Sequence, residues 1–409
     1  MSEEPNPDFD RELASPAFFA DPYPLFHRMR AEAPVYWSGV LNSWVLTRYE
    51  DVVSTMRDAR LLSSAQRMTT LLDQLPEGMR EEVRLVDHHY AATLPFLNPP
   101  EHTRIRGLVN KSFSPRIIEN MRSRIQEIAD QLLDAVHGAA KMDLIGDFAF
   151  PLPVTVISAL VGVPLEDRGK FKYWTNEIFG IFSSGRARPE STERGMKSLI
   201  DTREYLSHLI ASRRHRPQDD LISYFIGVEQ QGSSLTAEQV LANTVTFFVA
   251  GHETTTNMIG NAMLALLRHP DQLRRLQNDL SLLPSAVEEL LRYDGSVLRN
   301  WRVALEDLEI SGRKIRKGQI VSQMLGAANH DPAQFPDPDR LDILRRDNRH
   351  VAFGYGIHFC VGAPLARLEL QIAISTILKR FPGISLGGDV TDWRTDYTFR
   401  GMKSLPVTL

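Results

Sequence analysis

Cysteine is nearly missing from this chain: one occurs in 409 residues. That excludes an intramolecular disulfide framework. It also excludes iron–sulfur clusters and cysteine-built zinc sites, which need several thiolates. An excess of positive charge is missing too. Lys and Arg total 47 against 51 Asp and Glu, a formal net charge of −4, which argues against a nucleic-acid binder. No apolar run approaches the ~20 residues that span a bilayer. The start, Met1-Ser2-Glu3-Glu4-Pro5, has neither the basic nor the apolar segment of a signal peptide. A cytoplasmic protein without a membrane or nucleic-acid partner is expected. What is present is ordinary for a globular chain, 43% hydrophobic and 24% charged residues, enough for a sizeable core. Length alone suggests two or three domains.

The single cysteine sits in Phe353-Gly354-Tyr355-Gly356-Ile357-His358-Phe359-Cys360-Val361-Gly362, followed by Ala363-Pro364-Leu365-Ala366-Arg367. Two glycines precede it and one follows, which allows a tight turn and positive φ. Leu365, Leu368, Ile372 and Leu378 fall near helical spacing, so a helix starts just beyond. Amides and dipole at that N-terminus favour an anion and bias the sulfur toward thiolate. A lone cysteine is most simply a small buried hydrophobe. A lone thiolate also serves as the axial ligand of a haem iron.

Three other segments stand out. Thr236-Ala237-Glu238-Gln239 fits a capping box, and helical patterning runs from there to Arg268, where Pro270 stops it. In its middle lies Ala250-Gly251-His252-Glu253-Thr254-Thr255-Thr256-Asn257. Glycine and back-bonding threonines weaken and bend a helix, and a polar patch inside a buried helix marks function more than stability. His102 and Arg106, after Pro99-Pro100-Glu101, lie four apart on one helix face. Glu289 and Arg292 lie three apart on another helix and read as an ion pair.

Phe-Gly-x-Gly-x-His-x-Cys-x-Gly resembles the haem-binding loop of the cytochrome P-450 monooxygenases, and the other segments match motifs of the same family, from His102 to Gly362. The resemblance implies one mainly α domain over residues 1–409, with small β-sheets, enclosing haem b (iron protoporphyrin IX). It implies Cys360 as the axial iron ligand, with Phe353 beside the haem. His102, Arg106, Arg302 and His358 then meet the haem propionates. Ala250 and Gly251 leave room for dioxygen and water above the distal face, Thr254 hydrogen-bonds the reacting oxygen, and Glu253 feeds protons toward it. Glu289, Arg292 and Arg340 form a structural charge cluster, and Val297 and Leu298 border the substrate. His252 receives no role and reads as a surface or supporting histidine. Departures from the family pattern are Asn98 for a usual aspartate, Gly107 for a common arginine, Ser296 for proline and Trp301 for a small residue. The Arg67–Leu97 and Phe171–Pro189 regions are expected over the pocket, as lids.

Residues 35–37 and 43–47 read as a hairpin, as do 310–315 with 318–321, and 397–399 with 405–407 close a terminal hairpin. No Gly-x-Gly-x-x-Gly opens a βαβ unit, so electrons must come from outside. The resemblance implies a ferredoxin or flavodoxin with its NAD(P)H-dependent reductase. Arg104, Lys111, Arg116, Arg345, Arg346 and Arg349 are candidates for attracting an acidic carrier. The expectation is a monomer that inserts one atom of dioxygen into a small apolar molecule. The alternatives are a peroxide-driven peroxygenase and a haem-thiolate gas sensor without turnover.

Overall fold

The structure, a computed structural model, describes residues 7–57, 62–80, 83–183, 188–230 and 235–409. It is mainly helical with small sheets, as expected. The long helix Ala237–Arg268 runs through the core for 32 residues, about 48 Å at 1.5 Å per residue. Its start is the capping box expected from sequence: Thr236 Oγ1 accepts from the Gln239 amide and Gln239 Oε1 from the Thr236 amide. Helices Pro151–Val161 and Ala363–Arg380 pack against it, so its polar middle lies deep inside the fold.

The principal sheet has five strands in the order 35–38, 43–46, 320–324, 299–304, 62–63. Ser43–Leu46 pairs parallel with Ile320–Met324, and the remaining neighbours are antiparallel. The first hairpin forms as expected. The second differs: Leu308–Ile310 pairs with Arg313–Ile315, while Ile320–Met324 joins the principal sheet. The terminal hairpin differs as well. Trp393 bridges Met402, Phe399 bridges Val297, and Pro406–Thr408 pairs with Lys141–Asp143 and Ser385–Leu386.

Arg67–Leu97 holds helices at Arg67–Leu72, Glu77–Arg80 and Arg84–Ala91 and a turn at Leu94–Phe96. The Phe171–Pro189 region contributes the end of helix Arg168–Ser183 and the start of Pro189–His215. Residues 1–6, 81–82 and 184–187 lie outside the described residues, and with them the N-terminal reading and the tip of the second lid. Leu144–Val161 corrects the sequence reading of apolar runs. By length and composition these 18 residues are apolar enough to cross a membrane, yet 67% of the window is buried inside the fold, as in a core helix.

Candidate haem-thiolate site

The cysteine loop folds as its glycines require. Gly354 and Gly356 take φ of 73° and 72°, a region closed to most side chains. A Cβ on Gly356 would also meet the Met56 carbonyl at 2.8 Å. Gly362 behaves differently: at φ −76° it caps helix Ala363–Arg380. The Cys360 amide donates to the Phe353 carbonyl at 2.9 Å, closing the loop. Its side chain stays accessible, as a free thiol. The residue is exposed, yet enough protein surrounds the sulfur to work against the thiolate bias expected from sequence. Burial pushes the thiol up and outweighs the Gly362 and Ala363 amides and the Arg106 and Arg367 guanidinium groups, which pull it down. Metal coordination is what deprotonates such a thiol outright.

Behind the loop lies a network that sequence reading missed. Arg367 stacks 4.7 Å from the Phe353 ring and makes two hydrogen bonds to Glu288, at 2.6 and 2.7 Å. His350 Nδ1 accepts from the Ala352 amide, which leaves Nε2 to donate to Glu288 at 3.1 Å. Burial pushes the Glu288 carboxyl up, but the bonds from Arg367 and His350 overcome it and hold it at about 2. Arg367 was legible as the arginine at the end of the cysteine motif; its partners were not.

Glu289 and Arg292 form a fully buried ion pair through two 2.8 Å hydrogen bonds. The third member is Arg345, not Arg340. Arg345 Nε lies 3.1 Å from Glu289, and Asn348 donates to the same carboxylate. Arg340 offers only its carbonyl, to Arg292 and Arg345, and its side chain is exposed. Both arginines sit in a loop without periodic pattern, so spacing could not choose between them.

His102 projects from helix Glu101–Ser112 and is 2% exposed, with neither ring nitrogen hydrogen-bonded. Its ring centroid lies 4.4 Å from that of His358. Burial, then Arg302, His102, Arg67 and Arg106, depress His358 to about 2. Burial also lowers Arg302, to about 10, and Arg106. Arg302 donates at 3.0 Å to the Asn300 side chain and at 2.9 Å to the Trp301 carbonyl. The four expected propionate donors therefore converge beside the cysteine loop. The unpartnered imidazole of His102 and the guanidinium groups of Arg106 and Arg302 fit the two propionates of a haem, and Cys360 fits its iron.

On the long helix, Thr254 Oγ1 donates to the Ala250 carbonyl at 3.0 Å, the back-bond expected of a bent helix. Ala250 is exposed and Gly251 and Thr254 are half-buried, in an otherwise buried segment. At Gly251 a Cβ would meet Ile157 at 2.6 Å, so its bareness also serves close packing of helix Pro151–Val161. Glu253 is 5% exposed and paired with Arg394, whose other nitrogen donates to Asn176 at 2.9 Å. Arg394 lies 141 residues away, with no local signal. His252 is not on the surface: it is fully buried, its Nδ1 hydrogen-bonds the Phe248 carbonyl, and burial lowers its pKa. Leu298 is buried, in a core cluster with Phe26, Met324 and Tyr397 and against Gly326. Val297 stays partly exposed beside Phe399.

Comparison with known proteins agrees with this geometry. The family model for cytochrome P450 matches residues 72–388. Cytochrome P450 107B1 of Saccharopolyspora erythraea is 42% identical over 96% of each chain. The polyketide biosynthesis cytochrome P450 PksS of Bacillus subtilis is 38% identical over 96% of each. Among solved structures, P450BioI in complex with acyl carrier protein ligated to hexadec-9Z-enoic acid superposes with TM-score 0.89 at 38% identity, covering 97% of this chain and 100% of that one. Myxobacterial CYP267B1 with myristic acid gives 0.88 at 41%, over 97% and 98%. Shared across nearly the whole length, these likenesses place the chain in the cytochrome P450 family, whose members are haem-b monooxygenases.

Proposed function

We propose that this chain, as one catalytic unit over residues 1–409, is a cytoplasmic monomer that inserts one atom of dioxygen into an apolar organic molecule. Its electrons come from a ferredoxin or flavodoxin served by an NAD(P)H-dependent reductase. Relatives named for polyketide biosynthesis and neighbours solved with acyl ligands support a role in secondary metabolism on an extended apolar skeleton. One observation carries the reading: a solitary accessible cysteine, fixed at a helix N-terminus, with His102, Arg106, Arg302 and His358 converging beside it. When bound, haem b supplies the oxygen-activating redox chemistry.

The chain's own residues bind, orient and deliver protons. Cys360 holds the iron, Phe353 and Arg367 fix the loop, and the four cationic and imidazole groups hold the propionates. Thr254 holds a proton at Oγ1 on the accessible face of the helix, and Glu253 resupplies it. Arg394, itself donating to Asn176, holds the Glu253 carboxylate, connecting a 5% exposed acid to a partner whose side chain is 28% exposed. Water reaches a buried acid through such a partner.

The Glu253–Thr254 pair favours dioxygen over peroxide as oxidant, because proton delivery is what it provides. The test is product formation with ferredoxin, reductase, NADPH and dioxygen against peroxide alone. Dioxygen-dependent product supports the reading. Peroxide-only product gives the peroxygenase, and gas binding without product gives the sensor.

A further inference from the structure

Arg67, the first residue of helix Arg67–Leu72, is a cation with no anionic partner among the described residues. Its guanidinium lies 4.8 Å from the Phe96 ring and 4.6 Å from the Trp301 ring. Nε is enclosed and has no hydrogen-bond partner. The charges around it are positive: burial lowers its pKa first, then Arg302 and Arg299 lower it further. No hydrogen bond or ion pair from its side chain to a carboxylate occurs among the described residues. Arg299, by contrast, donates to Thr398 Oγ1 at 3.2 Å and feels Asp396. A half-buried cation whose Nε is enclosed, with no carboxylate beside it among the described residues, loses solvation without compensation, and stacking on two rings offsets that only in part.

The charge balance of the site says which anion is missing. A ferric ion, a porphyrin dianion and one thiolate sum to zero. Two propionates remain for the three guanidinium groups that act on His358, which are Arg302, Arg67 and Arg106, and on the proposed function Arg302 and Arg106 take them. Arg67 is the surplus charge. It stands where the Arg67–Leu97 region meets strand Arg299–Ala304, between two aromatic walls that suit an apolar chain. We propose that Arg67 binds the carboxylate of the substrate, so that the substrate class is an apolar carboxylic acid such as a fatty acid. This rests on the monooxygenase reading and narrows it.

The experiment titrates the holoenzyme with dodecanoic acid, its methyl ester and dodecanol, following the haem absorption change on binding. The wild type binds the acid at least tenfold tighter than the ester or the alcohol. Arg67→Gln abolishes that preference and Arg67→Lys keeps part of it, while the rate of haem transfer to apomyoglobin stays unchanged. A wild-type preference near one overturns the proposal without any variant. An undiminished preference in Arg67→Gln overturns it too, and if haem loss is then faster, Arg67 belongs to a propionate. The red-shifted carbonyl spectrum, recorded alongside, keeps failure of this proposal apart from failure of the haem-thiolate reading.

Discussion

At the scale of single residues, two buried carboxyl groups of the same type have different surroundings, one paired and one not. Glu253 has a guanidinium partner. Glu253→Gln removes the proton carrier but keeps the shape, so turnover falls by about 10²-fold while the haem spectrum is retained; steady-state product formation checks it. Glu369 is 1% exposed, and burial alone pushes its carboxyl well above the usual range. One of its oxygens is enclosed without a partner. The unfolded chain releases this proton at about pH 4.3, whereas the fold retains it. Stability linked to Glu369 is thus full at acid pH and is lost as pH rises toward the folded pKa. Glu369→Gln escapes that loss, so its stability gain is larger at pH 8 than at pH 5 in denaturant titrations. Neither behaviour was legible beforehand, since Arg394 and the apolar shell of Glu369 are tertiary facts. Cys360, His102, Arg106 and Arg302 were legible because each belongs to a short motif.

At the scale of elements, the sequence resolved what local chemistry decides. The Thr236 capping box and Pro270 bounded the long helix correctly. Strand Ile320–Met324 was misassigned to a hairpin because all five of its residues are buried, which erases the alternation that sets register. The charge cluster shows the same limit, since Glu289 and Arg292 share a helix and Arg345 does not. Arg345→Ala strands a buried carboxylate and costs up to about 3 kcal/mol, given the remaining Arg292 pair. Arg340→Ala changes stability by less than about 0.5 kcal/mol, because only its backbone carbonyl is used. Urea unfolding of the two variants separates them. Equal effects would return Arg340 to the cluster.

At the scale of the whole molecule, the fold gathers segments from residue 67 to residue 367 around one cysteine, and the family resemblance supplied the mainly helical architecture that periodicity alone did not. The surface is where it helped least. Of the six basic residues expected to attract an electron carrier, Arg345 is committed to the buried Glu289, while Arg104 and Arg349 make surface pairs with Glu101 and Asp347. Lys111, Arg116 and Arg346 remain exposed. Arg346→Glu therefore slows reduction by ferredoxin at low salt and flattens its dependence on ionic strength; a rate indifferent to salt in the wild type would remove the docking role. The most direct test of the whole account is the absorption spectrum of the reduced, carbon-monoxide-treated protein. The account predicts the strongly red-shifted band of sulfur-ligated haem in the wild type and its loss in Cys360→Ser. A wild-type protein without that band, or a serine variant that keeps it, would contradict it.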